Sequence, residues 1–196
     1  MKNKIKYSAA ALFFFFLAMG CLDHKQQENT NNIKEEYLAK GQQITAAVFS
    51  ALSSELQNAM KNGGVENAVT YCNLHALNVV DSLSAIHQAQ IRRASGKYRN
   101  PEDRPDISEK KIIDHYESEI KKGNEIIPKV VSGPDGRHYF YAPIFVNDFC
   151  LKCHGTIGQE LTRENADLIK KYYPADLATG YETGDFRGIW SIGFEE

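Results

Sequence analysis

The chain has 196 residues and a formal net charge of −2, with 42% hydrophobic and 24% charged residues. These values are typical of one globular domain and exclude a collagen-like or wholly disordered chain. The near-neutral charge argues against nucleic acid as a partner, and four cysteines are too few for a disulfide-dense scaffold.

The first twenty residues have the pattern of an export signal. Three lysines precede an apolar run over residues 8–19, whose length suits a signal-peptide core better than a membrane span. Residues 17–21 resemble the lipobox at which bacterial lipoproteins are lipidated on cysteine and cut before it. We therefore predict a lipoprotein signal peptide over residues 1–20, lipidation of Cys21, and a membrane-anchored protein of the periplasm or cell envelope. The alternatives are a secreted protein cut elsewhere and an uncleaved anchor. Residues 21–34 are polar and predict a flexible tether.

Helical spacing dominates the next fifty residues. Over residues 35–60 apolar side chains recur mostly at every fourth position, and the glycine pair at 63–64 follows as a stop signal. A second apolar stripe over residues 65–86 predicts another helix, with Cys72 in the middle of its buried face. We thus expect two long amphipathic helices.

The second half of the chain combines helices with strands. The predicted elements are helices at 106–122 and 163–172, a hairpin with strands at 126–131 and 137–145, and a closing strand at 186–194. Asp106 with Glu109 three positions later forms a capping-box pattern, and Pro128 places the first hairpin strand at a sheet edge. The order of elements predicts one α+β domain.

One short motif carries the chemistry. Cys150, Cys153 and His154 form C-x-x-C-H, the attachment site of c-type haem, and its chance occurrence in this composition is on the order of two in a thousand. In that arrangement both cysteines form thioethers to the porphyrin and the histidine is an axial ligand of the iron. We therefore predict one haem c per chain. A thioredoxin-like dithiol and half of a zinc site are the competing interpretations.

Several stretches around this motif resemble the c-type haem family of PAS-like domains found in bacteria and cyanobacteria. The matching stretches are residues 68–72, 93–105, 141–143 and 150–155, within a domain covering residues 35–196. The resemblance implies a PAS-like α+β fold with a small antiparallel sheet flanked by long N-terminal helices. It also implies that Cys72 is the second axial ligand, opposite His154. Asp103 departs from the family pattern, in which asparagine is expected.

The residues alone leave other assignments open. Cys72 is also suited to be a buried apolar thiol, and Met60 offers a thioether for a Met/His cytochrome. His75 lies one helical turn after Cys72 and is a further ligand candidate if reduction releases the thiolate. Arg93 and Arg99 are candidates to bind the haem propionates, with a solvated basic loop as the alternative.

Two protein ligands would leave the iron without an open position, which favours redox sensing or electron transfer over enzymatic chemistry. We expect an unidentified redox or signalling protein as partner. The alternatives are an open-site haem enzyme or gas-binding protein, and a Met/His electron carrier.

Overall fold

The computed structural model describes residues 10–195, with side chains described from residue 31 onward. The chain forms two compact units, residues 1–37 and Leu38–Glu196. Residues 1–9 and the side chain of Cys21 lie outside the described part, so the signal peptide and the lipidation stay predictions. Among the described residues, no helix contains an apolar stretch long enough to cross a membrane.

Helix α1, Ala10–His87, is interrupted at Gly63 and Gly64. The backbone of Gly64 has φ 63° and ψ −155°, a conformation that only glycine adopts without strain. The predicted stop between two helical segments is therefore confirmed. Asn67 donates from Nδ2 to the carbonyl oxygen of Ala59 at 2.9 Å, and Tyr71 bonds to Glu55. These contacts indicate that the second segment, residues 65–87, folds back along the first.

The segment predicted as a flexible tether is helical. Residues 21–34 belong to α1, because their lysine, glutamine and glutamate residues are good helix formers and extending an existing helix requires no new nucleus. The flexible tether itself stays a prediction. The division of the chain at residues 20 and 34 stays a prediction.

Four antiparallel strands form one sheet in the order β1-β4-β3-β2. They are β1, Ala89–Ala94; β2, Lys129–Ser132; β3, His138–Phe145; and β4, Phe186–Phe194. The predicted hairpin and closing strand are present, and β2 is an edge strand as Pro128 indicated. Strand β1 was not predicted, because two consecutive arginines interrupt its apolar alternation. It pairs with β4 over its whole length.

Three shorter helices complete the fold. They are α2, Ile107–Lys121; α3, Asp148–His154; and α4, Arg163–Tyr172. The predicted capping box at the start of α2 is confirmed, since Asp106 accepts from the Glu109 amide at 2.7 Å and Glu109 accepts from the Asp106 amide at 3.0 Å. A single 3-10 turn, Pro101–Asp103, lies between β1 and α2.

Helices cover both faces of the sheet. On one face Phe140 and Ile192 lie opposite each other in register, fully buried, and a Cβ at Gly41 of α1 would overlap the Phe140 ring. On the other face Tyr116 of α2 packs with Tyr141. The predicted α+β class, with a small antiparallel sheet and long N-terminal helical segments, is thus confirmed. The PAS-like comparison stays a prediction.

Candidate functional site

The C-x-x-C-H motif forms the short helix α3. Asn147 caps its N-terminus by accepting from the Cys150 amide at 3.2 Å, and the same oxygen accepts from the Cys150 thiol at 3.2 Å. Gly155 ends the helix immediately after His154. Cys150, Cys153 and His154 therefore project from successive turns of one rigid element.

His154 is held by a backbone carbonyl on another segment. Its Nδ1 lies 2.7 Å from the carbonyl oxygen of Ala178. A carbonyl can only accept, so Nδ1 carries the proton and Nε2 keeps its lone pair. Burial lowers the pKa of His154 well below its ordinary value, an effect that the positive charge of Arg99 reinforces. The imidazole is thus neutral, with Nε2 available to a metal.

A cavity of about 220 Å³ lies beside α3 and has two chemically different walls. The α1 wall is largely apolar and includes Leu56, Met60, Val69 and Cys72. The rest of the lining carries arginine side chains together with Cys150, Cys153 and His154. Cys72 and His154 therefore border the same cavity, although they lie 82 positions apart in the sequence.

The cysteines at the cavity are free thiols. Burial raises the pKa of Cys72 and that of Cys153, and the two side chains are close enough for the charge of Cys72 to raise the Cys153 pKa further. The guanidinium groups of Arg93 and Arg99 oppose the effect at Cys72. Coordination of a metal by Cys72 would displace the thiol proton.

Arg99 is buried rather than solvated. Its side chain is 13% exposed and forms an ion pair with Asp176, whose side chain is 6% exposed, at 3.2 Å. Its Nη2 also donates to the carbonyl oxygens of Cys153, at 2.6 Å, and Ala178, at 3.2 Å. The solvated-loop interpretation is therefore wrong for Arg99, whose guanidinium joins the motif helix to the Ala178 segment.

Two further arginines line the cavity. Arg93 lies 3.9 Å from the carboxylate of Asp103. Arg187 donates from Nη1 to the Ser95 hydroxyl at 2.6 Å and lies over the Tyr181 ring at 5.4 Å. Within residues 31–195, no carboxylate comes within ion-pair distance of Arg187. Burial lowers its pKa from the ordinary value.

Comparison with known proteins places this arrangement in a family. A model of the family described as Tll0287-like matches residues 25–194. The chain belongs to the Tll0287-like family. No curated protein matches the chain. Among solved structures, the crystal structure of the cyanobacterial heme-protein Tll0287 is similar, with a TM-score of 0.56 at 19% identity. That match covers 78% of this chain and 92% of that one, and it supports the fold.

In this member of the Tll0287-like family, the residues that the sequence predicts for the haem site all line the cavity, except His75. His75 is exposed and contacts the Tyr71 ring at a tilt of 42°, with ring centroids 4.9 Å apart, and it does not line the cavity. Within residues 31–195, no group of three or more His, Cys, Asp and Glu side chains is arranged to hold a metal ion. Sequence reasoning missed Arg187 and Asp176, because neither belongs to a motif and only the tertiary fold brings them to the site.

Proposed function

We propose that this chain binds one haem covalently and serves in redox sensing or electron transfer. Cys150 and Cys153 would form the two thioethers, and His154 would be an axial ligand through Nε2. The observation that carries the proposal is the orientation of His154: the 2.7 Å bond from Nδ1 to Ala178 leaves Nε2 free on the helix that presents both thiols.

The cavity suits the chemistry of a haem. A porphyrin has a broad apolar face and two propionates, and the cavity is lined by apolar side chains of α1 and by the arginines Arg93 and Arg187. The protein of similar fold, Tll0287, is a heme-protein, which supports the same class of ligand here. A haem would supply a reversible one-electron couple at this position.

Cys72 is our proposed second axial ligand. It borders the same cavity as the C-x-x-C-H helix and lies on the helical segment that folds back along the first part of α1. With His154 and Cys72 both bound, the iron would have no open position, which supports electron transfer over substrate activation. A thiolate would also favour ferric over ferrous iron and lower the midpoint potential.

A Met/His electron carrier is the second candidate, because Met60 borders the same cavity. Its thioether is neutral and would favour ferrous iron relative to a thiolate, so the two arrangements predict different potentials. If neither Cys72 nor Met60 binds the iron, the remaining candidate is an open-site haem enzyme or gas-binding protein.

We propose a location outside the cytoplasm, in the periplasm or cell envelope, with the chain anchored through lipidated Cys21. Supporting this are the apolar run at residues 8–19 and the cysteine that follows it. Covalent haem attachment suits such a place, because an exported protein would otherwise lose a diffusible cofactor. A separate redox or signalling protein would be its partner.

The test is to mature the protein with haem and compare it with Cys72→Ala and with Met60→Leu as the matched control. Haem that stays with the denatured chain would establish thioether attachment. Low-spin ferric EPR with thiolate features, lost only in Cys72→Ala, would establish the His154/Cys72 pair. Loss only in Met60→Leu would establish the Met/His carrier. High-spin spectra that respond to cyanide or CO in all three proteins would refute both.

A further inference from the structure

Three chain segments meet at His154 through one buried ion pair. Asp176 accepts on Oδ1 from the Arg99 Nε at 3.2 Å and from the Ala178 amide at 2.9 Å. The Arg99 Nη2 donates to the Cys153 carbonyl at 2.6 Å and to the Ala178 carbonyl at 3.2 Å. The guanidinium thus bonds to both sides of the His154–Ala178 contact.

Backbone bonds join the two segments, since the Tyr181 amide donates to the His154 carbonyl at 3.0 Å and the Gly180 amide to the Gly155 carbonyl at 2.9 Å, but neither holds the Ala178 carbonyl itself. His154 is the last residue of a seven-residue helix, and Ala178 lies in a segment without regular secondary structure. A backbone carbonyl in such a segment is free to rotate unless other bonds hold its peptide groups. Asp176 holds the amide of Ala178, and Arg99 holds its carbonyl oxygen.

We propose that the Arg99–Asp176 ion pair is a positioning element for His154: it fixes the Ala178 carbonyl, which selects the tautomer protonated on Nδ1 and directs Nε2 to the iron. This role rests on the proposed haem function. It assigns to Arg99 a task different from propionate binding. Asp176 gains a role that no motif indicates.

The energetics of buried ion pairs support a geometric role. Both side chains lie largely out of water, so their mutual attraction is offset by the cost of desolvating two charges. An apolar pair of similar size would give comparable stability, but it would not orient a carbonyl. Ligand histidines commonly depend on such outer contacts, whose loss typically reduces metal affinity by about 10- to 100-fold.

The test measures the His154 tautomer in the haem-free protein by 15N NMR at pH 8, where the imidazole is neutral. The variants are Asp176→Asn and Arg99→Lys. The matched control is Arg92→Lys, which alters another arginine–carboxylate pair, formed with Glu109 at 3.0 Å. We expect His154 to be protonated on Nδ1 in the wild type and the control, and to become a mixture of tautomers in the two variants.

An unchanged tautomer in both variants would overturn the positioning role, whatever happens to stability. If Asp176→Asn does not fold, Arg99→Lys decides the question, since lysine keeps the charge but has a single nitrogen, which cannot replace both Nε at Asp176 and Nη2 at the two carbonyls. Haem loading then separates the two proposals. A wild type that takes no haem refutes the proposed function and leaves the tautomer result standing. If the wild type takes haem and the variants keep both the wild-type tautomer and the wild-type low-spin fraction, only the positioning role is refuted.

Discussion

Replacement of Arg187 by methionine is expected to affect the empty and the haem-loaded protein differently. Arg187 lines the cavity, bonds to Ser95 at 2.6 Å and has no carboxylate within ion-pair distance among the described residues. Burial lowers its pKa, which means that the fold disfavours the charged form, and the negative charge of Asp103 offsets this only in part. A propionate would supply a further anion.

The magnitude follows from these contacts. In the haem-free protein, methionine loses the Ser95 bond, which has a charged donor and is worth roughly 1.5–3 kcal/mol, but it also removes the cost of burying that charge, so the net change should stay within about 1 kcal/mol. In the haem-loaded protein, the same substitution would also remove a charge-assisted bond to a propionate, worth roughly 1.5–3 kcal/mol. The loaded form should therefore lose about 2 kcal/mol more than the empty form.

Urea unfolding of both forms, followed by circular dichroism, measures the difference. The Arg187→Lys variant is the control, because it keeps the charge and should fall between wild type and Arg187→Met in the loaded form. Equal losses in the empty and loaded proteins would refute the reasoning, since Arg187 would then act only through its contacts with Ser95 and Tyr181.

Two further predictions concern the pH dependence and the packing of the domain. Burial raises the pKa of the Asp103 carboxyl above its unfolded value. The stability that Asp103 contributes is therefore present below the unfolded pKa and is lost as pH rises through the folded pKa. Asp103→Asn should then be more stable than wild type at pH 7, by about 1.4 kcal/mol per unit of pKa difference, and this advantage should vanish near pH 3. Urea unfolding at both pH values checks this, and a constant advantage would contradict it. Gly41→Ala should lower the free energy of unfolding by roughly 1–3 kcal/mol, because the added methyl group would overlap the Phe140 ring. Gln43→Ala, on the exposed side of α1, is the control and should leave stability unchanged. Equal melting temperatures of these two variants would count against the packing argument.

Features that depend on only a few neighbouring residues could be predicted from the sequence. The capping box of Asp106 and Glu109 lies within four residues, and the helix predicted over 163–172 has the observed bounds. The C-x-x-C-H motif is equally local, because its spacing alone defines the chemistry it can perform. Such features depend little on the rest of the chain, so tertiary packing does not override them.

The rest of the site depends on contacts between distant segments. Arg99 meets Asp176 across 77 positions, and Ser95 meets Arg187 across 92. Nothing near Asp176 or Arg187 in the sequence distinguishes either residue from an ordinary surface charge. Their roles arise because β1 pairs with β4, which brings the chain after β1 beside the start of β4. Strand β1 itself was missed, and with it the reason for these contacts.

The glycine break in α1 links this fold to the proposed chemistry. An uninterrupted helix would place Cys72 about 12 Å farther along the axis than residue 64, because each residue adds about 1.5 Å. With the chain reversed at Gly64, Cys72 instead lies alongside the first segment and borders the same cavity as Met60. The backbone conformations of Gly63 and Gly64 thus bring Cys72 to the cavity that His154 also borders. On the same segment His75, about one turn away, is exposed and does not line that cavity.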